Sequence, residues 1–228
     1  MLKLFFVLAR DDIRMHNNYM FLTSLTITVL VVTLLSLFWC LVKLASTKIT
    51  EQYHKLAEHL SLELTEARPQ LAGFIRPEPF VHGDYRGREL SISAPSKGIQ
   101  NTRQTETVIK LALKNLDGFT VQMTANGMLG SLRQRGSKQK KRWLSGDANF
   151  DQAVDVRTSD GVRLAMHLDV TGQRAIASLL VGTRATIYLG LGTLAFTELG
   201  LIAKDHQRER FEQAVEILCD FAEILERN

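Results

Sequence analysis

From Asn17 to Val42 the chain runs for 26 residues without a formal charge, and nothing else in it narrows the possible folds so much. The apolar part, residues 20–42, suffices to cross a bilayer, since about 20 helical residues at 1.5 Å each cover the roughly 30 Å hydrocarbon layer. Tyr19 and Trp39 stand near its two ends, where interfacial aromatics belong. Burying such a helix in a soluble core would need an apolar shell on every side, which a chain of 228 residues can hardly supply. The segment is longer than the apolar region of a signal peptide and no small-x-small site follows it, so an uncleaved single-pass anchor is expected.

About 185 residues remain, enough for one domain with one core. The 28 Lys+Arg exceed the 24 Asp+Glu by a formal +4, a whole-chain field too weak to imply nucleic acid. Cys40 in the apolar run and Cys219 near the end lie in environments that no disulfide would join, which favours a reducing compartment. Lys3, Arg10 and Arg14 flank one side of the span, and Lys43, Lys48 and Lys55 the other. Lys3 falls outside the window of about 15 residues that counts for orientation, which tips the C-terminal domain toward the cytoplasm.

Four regions are expected: a tail at 1–18, a transmembrane helix at 19–44, an amphipathic helix with connector at 45–79, and an α+β domain at 80–228. In the tail, Leu2, Phe5, Phe6, Ala9 and Ile13 recur at helical spacing, as in a segment lying at the headgroups, although Leu4, Val7 and Leu8 blur the faces. After the span, Ile49, Tyr53, Leu56, Ala57, Leu60 and Leu64 follow steps of three and four, with Glu51 and Lys55 as an i,i+4 pair. Glu63 breaks the heptad, so this helix should pack on the protein's own domain; Arg68-Pro69 should stop it, and Pro77-Glu78-Pro79 should act as a stiff connector.

From Phe80 the period shortens to two. Leu90 and Ile92, then Ile109, Leu111 and Leu113, then Phe119, Val121 and Met123 read as strands, with the ETVIKLALK and FTVQMTA runs joined as a hairpin at Asn115-Leu116-Asp117-Gly118. AVDVRT reads as a short strand, and the strict alternation of Val162, Leu164, Met166, Leu168 and Val170 as a further one, with a short helix after Gly172. Residues 185–203 are apolar apart from Glu198, but Gly190, Gly192 and Gly200 and the alternation of Ile187, Leu189, Leu191, Leu194 and Phe196 favour a hairpin over a second span. A final helix from about Asp205 carries the stripe Phe211, Val215, Leu218, Ala222 and Leu225, with Arg208, Glu209, Glu212 and Glu216 expected on the wet side. The sum is an α+β fold: an N-terminal transmembrane helix, an antiparallel-sheet domain and a C-terminal amphipathic helix.

The densest charge lies at Arg133, Arg135, Lys138, Lys140, Lys141 and Arg142, a basic loop suited to anionic headgroups or a protein partner. Nucleic acid is the weaker option, because only Trp143 offers a neighbouring aromatic. Residues 146–151, Gly-Asp-Ala-Asn-Phe-Asp, imitate the start of a calcium loop through Asp147, Asn149 and Asp151. Gln152 then stands where a glycine is required and Thr158 where a bidentate glutamate is, so turn chemistry explains them better. His82 and Asp84, with Asp147 and Asp151, are the candidates for an acid–base or metal site, and no spacing fixes their geometry. Cys219, one step from the apolar stripe, reads as a buried structural thiol. No HExxH, GxxxxGK[ST], GxSxG or CxxC occurs, so neither a catalytic set nor a cofactor is expected.

The pieces His82-Gly-Asp-Tyr-Arg-Gly-Arg-Glu-Leu90 and Gly146-Asp-Ala-Asn-Phe-Asp151 resemble those of a group of bacterial membrane-anchored proteins that carries no assigned activity. The resemblance implies shared fold geometry from Phe80 onward and makes Tyr85, Arg86 and Arg88 the first positions to test. The functional expectation is an interaction or assembly module beside the bilayer, with other membrane proteins as partners. The alternative is a small-molecule or lipid-binding domain with its pocket between sheet and C-terminal helix. A tethered enzyme comes third.

Overall fold

A computed structural model describes residues 2–66, 79–95, 105–114, 118–127 and 141–227, with side chains from residue 22 onward. The chain divides into two compact units, Met1–Thr47 and Lys48–Asn228. The first consists of helix α1 (Leu2–Leu60) up to Thr47. Among the described residues α1 is the one helix long and apolar enough to cross a membrane, and none of its most apolar window is buried within the protein. Thr26, Thr28 and Thr33 turn their hydroxyls back onto the carbonyls of Leu22, Ser24 and Val29 at 3.0, 2.9 and 2.8 Å. Their polar atoms are thereby satisfied inside the helix, as an apolar solvent demands. The tail pattern and the Tyr19 anchor concern side chains outside the described set; Trp39 is exposed, with the Lys43 ammonium 5.3 Å from its ring centre.

The second unit opens with the last turns of α1, where Tyr53, Leu56, Ala57 and Leu60 are buried in the domain core. The i,i+4 pair forms, Glu51 to Lys55 at 2.8 Å. The helix stops at Leu60 rather than near Arg68-Pro69. Ser61 adopts φ +54°, its N–H donates to Glu58 O (3.1 Å) and the Leu62 N–H to Ala57 O (2.8 Å). This paired arrangement satisfies the last carbonyls and turns the chain out of the helix. Leu64, expected on the helix, instead lies on strand β1 (Glu63–Thr65). The proposed stop and Pro77-Glu78 lie outside the described residues.

The remaining strands are β2 (Phe80–Tyr85), β3 (Arg88–Ser93), β4 (Glu106–Ala112), β5 (Val121–Ala125), β6 (Lys141–Trp143), β7 (Val154–Thr158), β8 (Thr186–Gly190) and β9 (Thr193–Leu199). They form one antiparallel sheet in the order β1-β2-β3-β4-β9-β8-β5-β7-β6. Period two makes the register a row of facing apolar residues across all nine strands: Leu64, Val81, Ile92, Ile109, Phe196, Ile187, Met123, Val156 and Trp143. A one-residue slip at any strand would turn its part of that row to the other face. The β2–β3 turn, Arg86-Gly87, has φ of +53° and +73°, the two left-handed positions of a type I′ hairpin.

The expected hairpin between the ETVIKLALK and FTVQMTA runs does not form. The β8–β9 hairpin is inserted between β4 and β5, so that β4 pairs with β9 and β5 with β8. After β4 the chain touches the tip of the inserted hairpin, the Leu113 N–H donating to Gly192 O at 2.8 Å. Local turn chemistry reports the reversal of direction and not how many strands fit inside it. Residues 186–199 are a hairpin and not a second span, with Leu191 in its turn and almost wholly exposed rather than on a strand.

Among the described residues four helices follow α1: the short α2 (Ala148–Ala153), which leads into β7, then α3 (Gly161–His167), α4 (Val170–Leu180) and α5 (Asp205–Glu226). The alternating run at 162–170, expected as a strand, is helical. Asp160 caps α3 by accepting from the Val162 and Arg163 N–H groups, and Asp169 caps α4, which therefore begins at Val170 and not after Gly172. Leu164 and Leu168 are buried while Val162 and Met166 are exposed, so burial recurs every fourth residue and only the apolar composition had period two. On α5 the predicted stripe is buried against the sheet, Phe211 meeting Phe196 edge-on at 5.6 Å. Arg208, expected in solvent, is buried.

Candidate functional site

The turn that carries Tyr85, Arg86 and Arg88 grips the acidic side of α5. The Tyr85 hydroxyl donates to Glu216; Arg86 reaches Glu216 at 2.5 Å and Asp220 at 2.7 Å; Arg88 donates to Glu226 at 2.6 Å. Glu226 also accepts from the Lys114 N–H at 2.7 Å, which ties the helix end to the segment after β4. The bond to Glu216 raises the Tyr85 pKa, and the bond to Asp220 raises that of Arg86. Gly87 supplies the turn, while Gly83 serves the neighbouring β1, since a side chain there would come to 3.0 Å from Leu62. Glu216 is therefore a partner rather than a free wet residue. The positions marked first for testing hold the helix on the sheet.

At its other end α5 meets the last turns of α1. Arg208 donates to Glu212 at 2.5 Å and to His59 Nδ1 at 3.0 Å, while His59 Nδ1 also lies 2.9 Å from Glu212. Gln52 donates to Asp205 at 3.2 Å.

The sheet face away from the core has its own register. Lys110, Ala195, Tyr188, Gln122, Arg157 and Arg142 face one another in turn across β4, β9, β8, β5, β7 and β6. Arg142 and Arg157 are directly opposed, and the Nε atoms of both turn to Asp155, at 3.5 and 3.4 Å. The Asp155 side chain is 14% exposed against 54% for Arg142, so the carboxylate lies beneath the guanidinium heads. Of the six cations expected in the basic loop, Lys141 and Arg142 lie on β6, and Arg133, Arg135, Lys138 and Lys140 lie outside the described residues.

Asp147 and Asp151 do turn chemistry. Asp147 caps α2 through the Asn149 N–H at 2.9 Å, and Asp151 accepts from Ser145 N–H, at 2.8 Å, and its hydroxyl, at 2.9 Å. His82 bonds Thr65 Oγ1 at 3.0 Å and Asp84 accepts the Gly87 N–H at 2.9 Å. Strands β2 and β7 stand six places apart in the sheet, about 29 Å at strand spacing, so the four residues do not converge. No group of three or more metal-ligating side chains occurs among the described residues.

The expected pocket between sheet and α5 is occupied by core side chains, among them Leu218, Cys219 and Ala222. A small recess of about 160 Å³ lies elsewhere, lined by Glu106, Gln122, Arg184, Thr186, Thr197 and Glu198 among others. Burial raises the Glu198 pKa, and Arg210, at 3.0 Å, opposes the shift. Compared with protein-family models, curated proteins and solved structures, the chain matches none of them. Sequence reading missed Arg157 as the neighbour of Arg142, since no local signal states which strands pair.

Proposed function

We propose that this chain is a single-pass membrane-anchored interaction or assembly module whose folded domain lies on the cytoplasmic side. The observation that carries the reading is the contrast within α1: its most apolar window has no protein shell, while the turns from Lys48 are buried in a domain that closes its own core. A domain that needs none of the span for its core leaves the span to serve the bilayer. Partners are the bilayer itself and other membrane proteins.

Protease protection in sealed inside-out and right-side-out vesicles, followed by crosslinking and mass spectrometry on the accessible side, tests this. Digestion of the domain only in inside-out vesicles, with crosslinks to membrane proteins, is the expected result. Release of the chain by alkaline carbonate would remove the anchor, and digestion only in right-side-out vesicles would reverse the sidedness. The polar recess at Glu106 and Glu198 favours a second reading, a tethered domain for a small polar ligand, for which a ligand-dependent rise in melting temperature is the test.

A further inference from the structure

We infer that the outer side of helix α3 seats in the interfacial layer of the bilayer. This rests on the membrane-anchored reading above. Val162, Leu164, Met166 and Leu168 alternate as a strand would, and the helix that forms instead divides them between two sides. Leu164 and Leu168 enter the core, while Val162 and Met166, one turn apart, are 69% and 76% exposed. Ala165, between them on the same side, is exposed too. Arg163 does not cover that side, since its guanidinium lies over the Phe119 ring at 4.9 Å. A surface helix carries polar residues opposite its buried side, and one that is apolar all round is normally covered all round. A side chain at Gly161 would come to 2.9 Å from the Trp143 ring, so the start of α3 meets the end of β6, where Leu144 is 63% exposed. Val170, at the start of α4, is 49% exposed.

Size and shape select the occupant. At about 100 Å² for a whole side chain, Leu144, Val162, Met166 and Val170 together expose roughly 250 Å², whereas a specific protein interface takes about 800 Å² from each partner. A second copy or another protein would have little to hold. The side chains also project into solvent, and a tight protein contact seats its anchors in fitted pockets. Lipid chains are fluid and need no such fit, so each projecting side chain gains on its own. Trp143, partly buried beside the patch, suits the headgroup level, where tryptophan collects. A tethered surface meets its own bilayer at an effective concentration of about millimolar, which lets a patch this small act.

The test uses the full chain, one copy per disc, in phosphatidylcholine nanodiscs with or without a nitroxide on the upper acyl chain. The chain has two tryptophans, so Trp39→Phe leaves Trp143, against the start of α3, as the only one. Its emission should fall about twofold with the nitroxide, and by as much in 1 M salt, where the screening length is about 3 Å. V162Q/M166Q should restore the emission, and V162L/M166L, which keeps the outer side apolar, should be quenched like the parent. Both variants change the same exposed positions, so a general loss of folding cannot produce that contrast. Unquenched emission in the parent, or quenching that survives V162Q/M166Q, overturns the inference while the anchor stands. Quenching that disappears in 1 M salt overturns it in favour of a contact made by charge. Quenching, or any change in Trp143 emission, that appears only in discs holding two chains overturns it in favour of a second copy. A chain that does not enter the discs refutes the anchored reading and this inference with it.

Discussion

Arg208 shows how one side chain departs from its helical face. Its position on α5 is polar by spacing, yet its side chain is 9% exposed because Glu212 and His59 close over it. Removing a partner from a buried pair costs about 3–5 kcal/mol when both charges are fully buried, and Glu212 retains 21% exposure. Arg208→Ala should therefore lower unfolding free energy by about 2–3 kcal/mol in urea titration. An unchanged midpoint would mean that the cluster is only a surface pair. Cys219 gives a pH signature: burial pushes its thiol up to about 11 from an ordinary 9.0. The folded state then holds the proton that the unfolded chain releases, so stability is unaffected below about pH 9 and falls as pH rises toward 11. Cys219→Ala should flatten that part of the stability profile, and a slope identical to the parent's would refute the assignment.

Among the elements, the end of α1 depends on Ser61, an L residue in left-handed backbone at the position where glycine is preferred. Ser61→Gly should stabilise the domain by about 0.5–1 kcal/mol, read as a higher melting temperature, because it relieves that conformation. A lower value would show that the flexibility gained in the unfolded chain outweighs the relief. The same cap explains why spacing misled at Leu64: apolar steps of three and four ran through the corner, and the stop lay in backbone geometry that a serine does not announce. At 162–170 the reverse happened. Apolar alternation suggested a strand, but Asp160 and Asp169 at capping positions and the burial of Leu164 with Leu168 made helices.

At the scale of the whole molecule, the central strands β8 and β9 come from the last third of the chain and are inserted between β4 and β5. Truncation before Thr186 should therefore leave no folded domain, visible as loss of cooperative melting and of protease resistance; a cooperative transition in the truncated chain would refute the central role of this hairpin. Within the full domain, Phe196→Ala should cost about 3–5 kcal/mol, as expected for a fully buried aromatic in the middle of the sheet. Sequence alone determined the apolar membrane-length helix, the α+β class, the amphipathic stripes of α1 and α5 and the residues 186–199 hairpin, because these rest on period and length, which are local properties of the chain. Tertiary structure alone decided that β4 and β5 are not neighbours, that Tyr85, Arg86 and Arg88 clamp α5, and that Arg142 faces Arg157. Each of these depends on pairing between distant segments, and a residue's face and spacing say which way it points but not what it will meet.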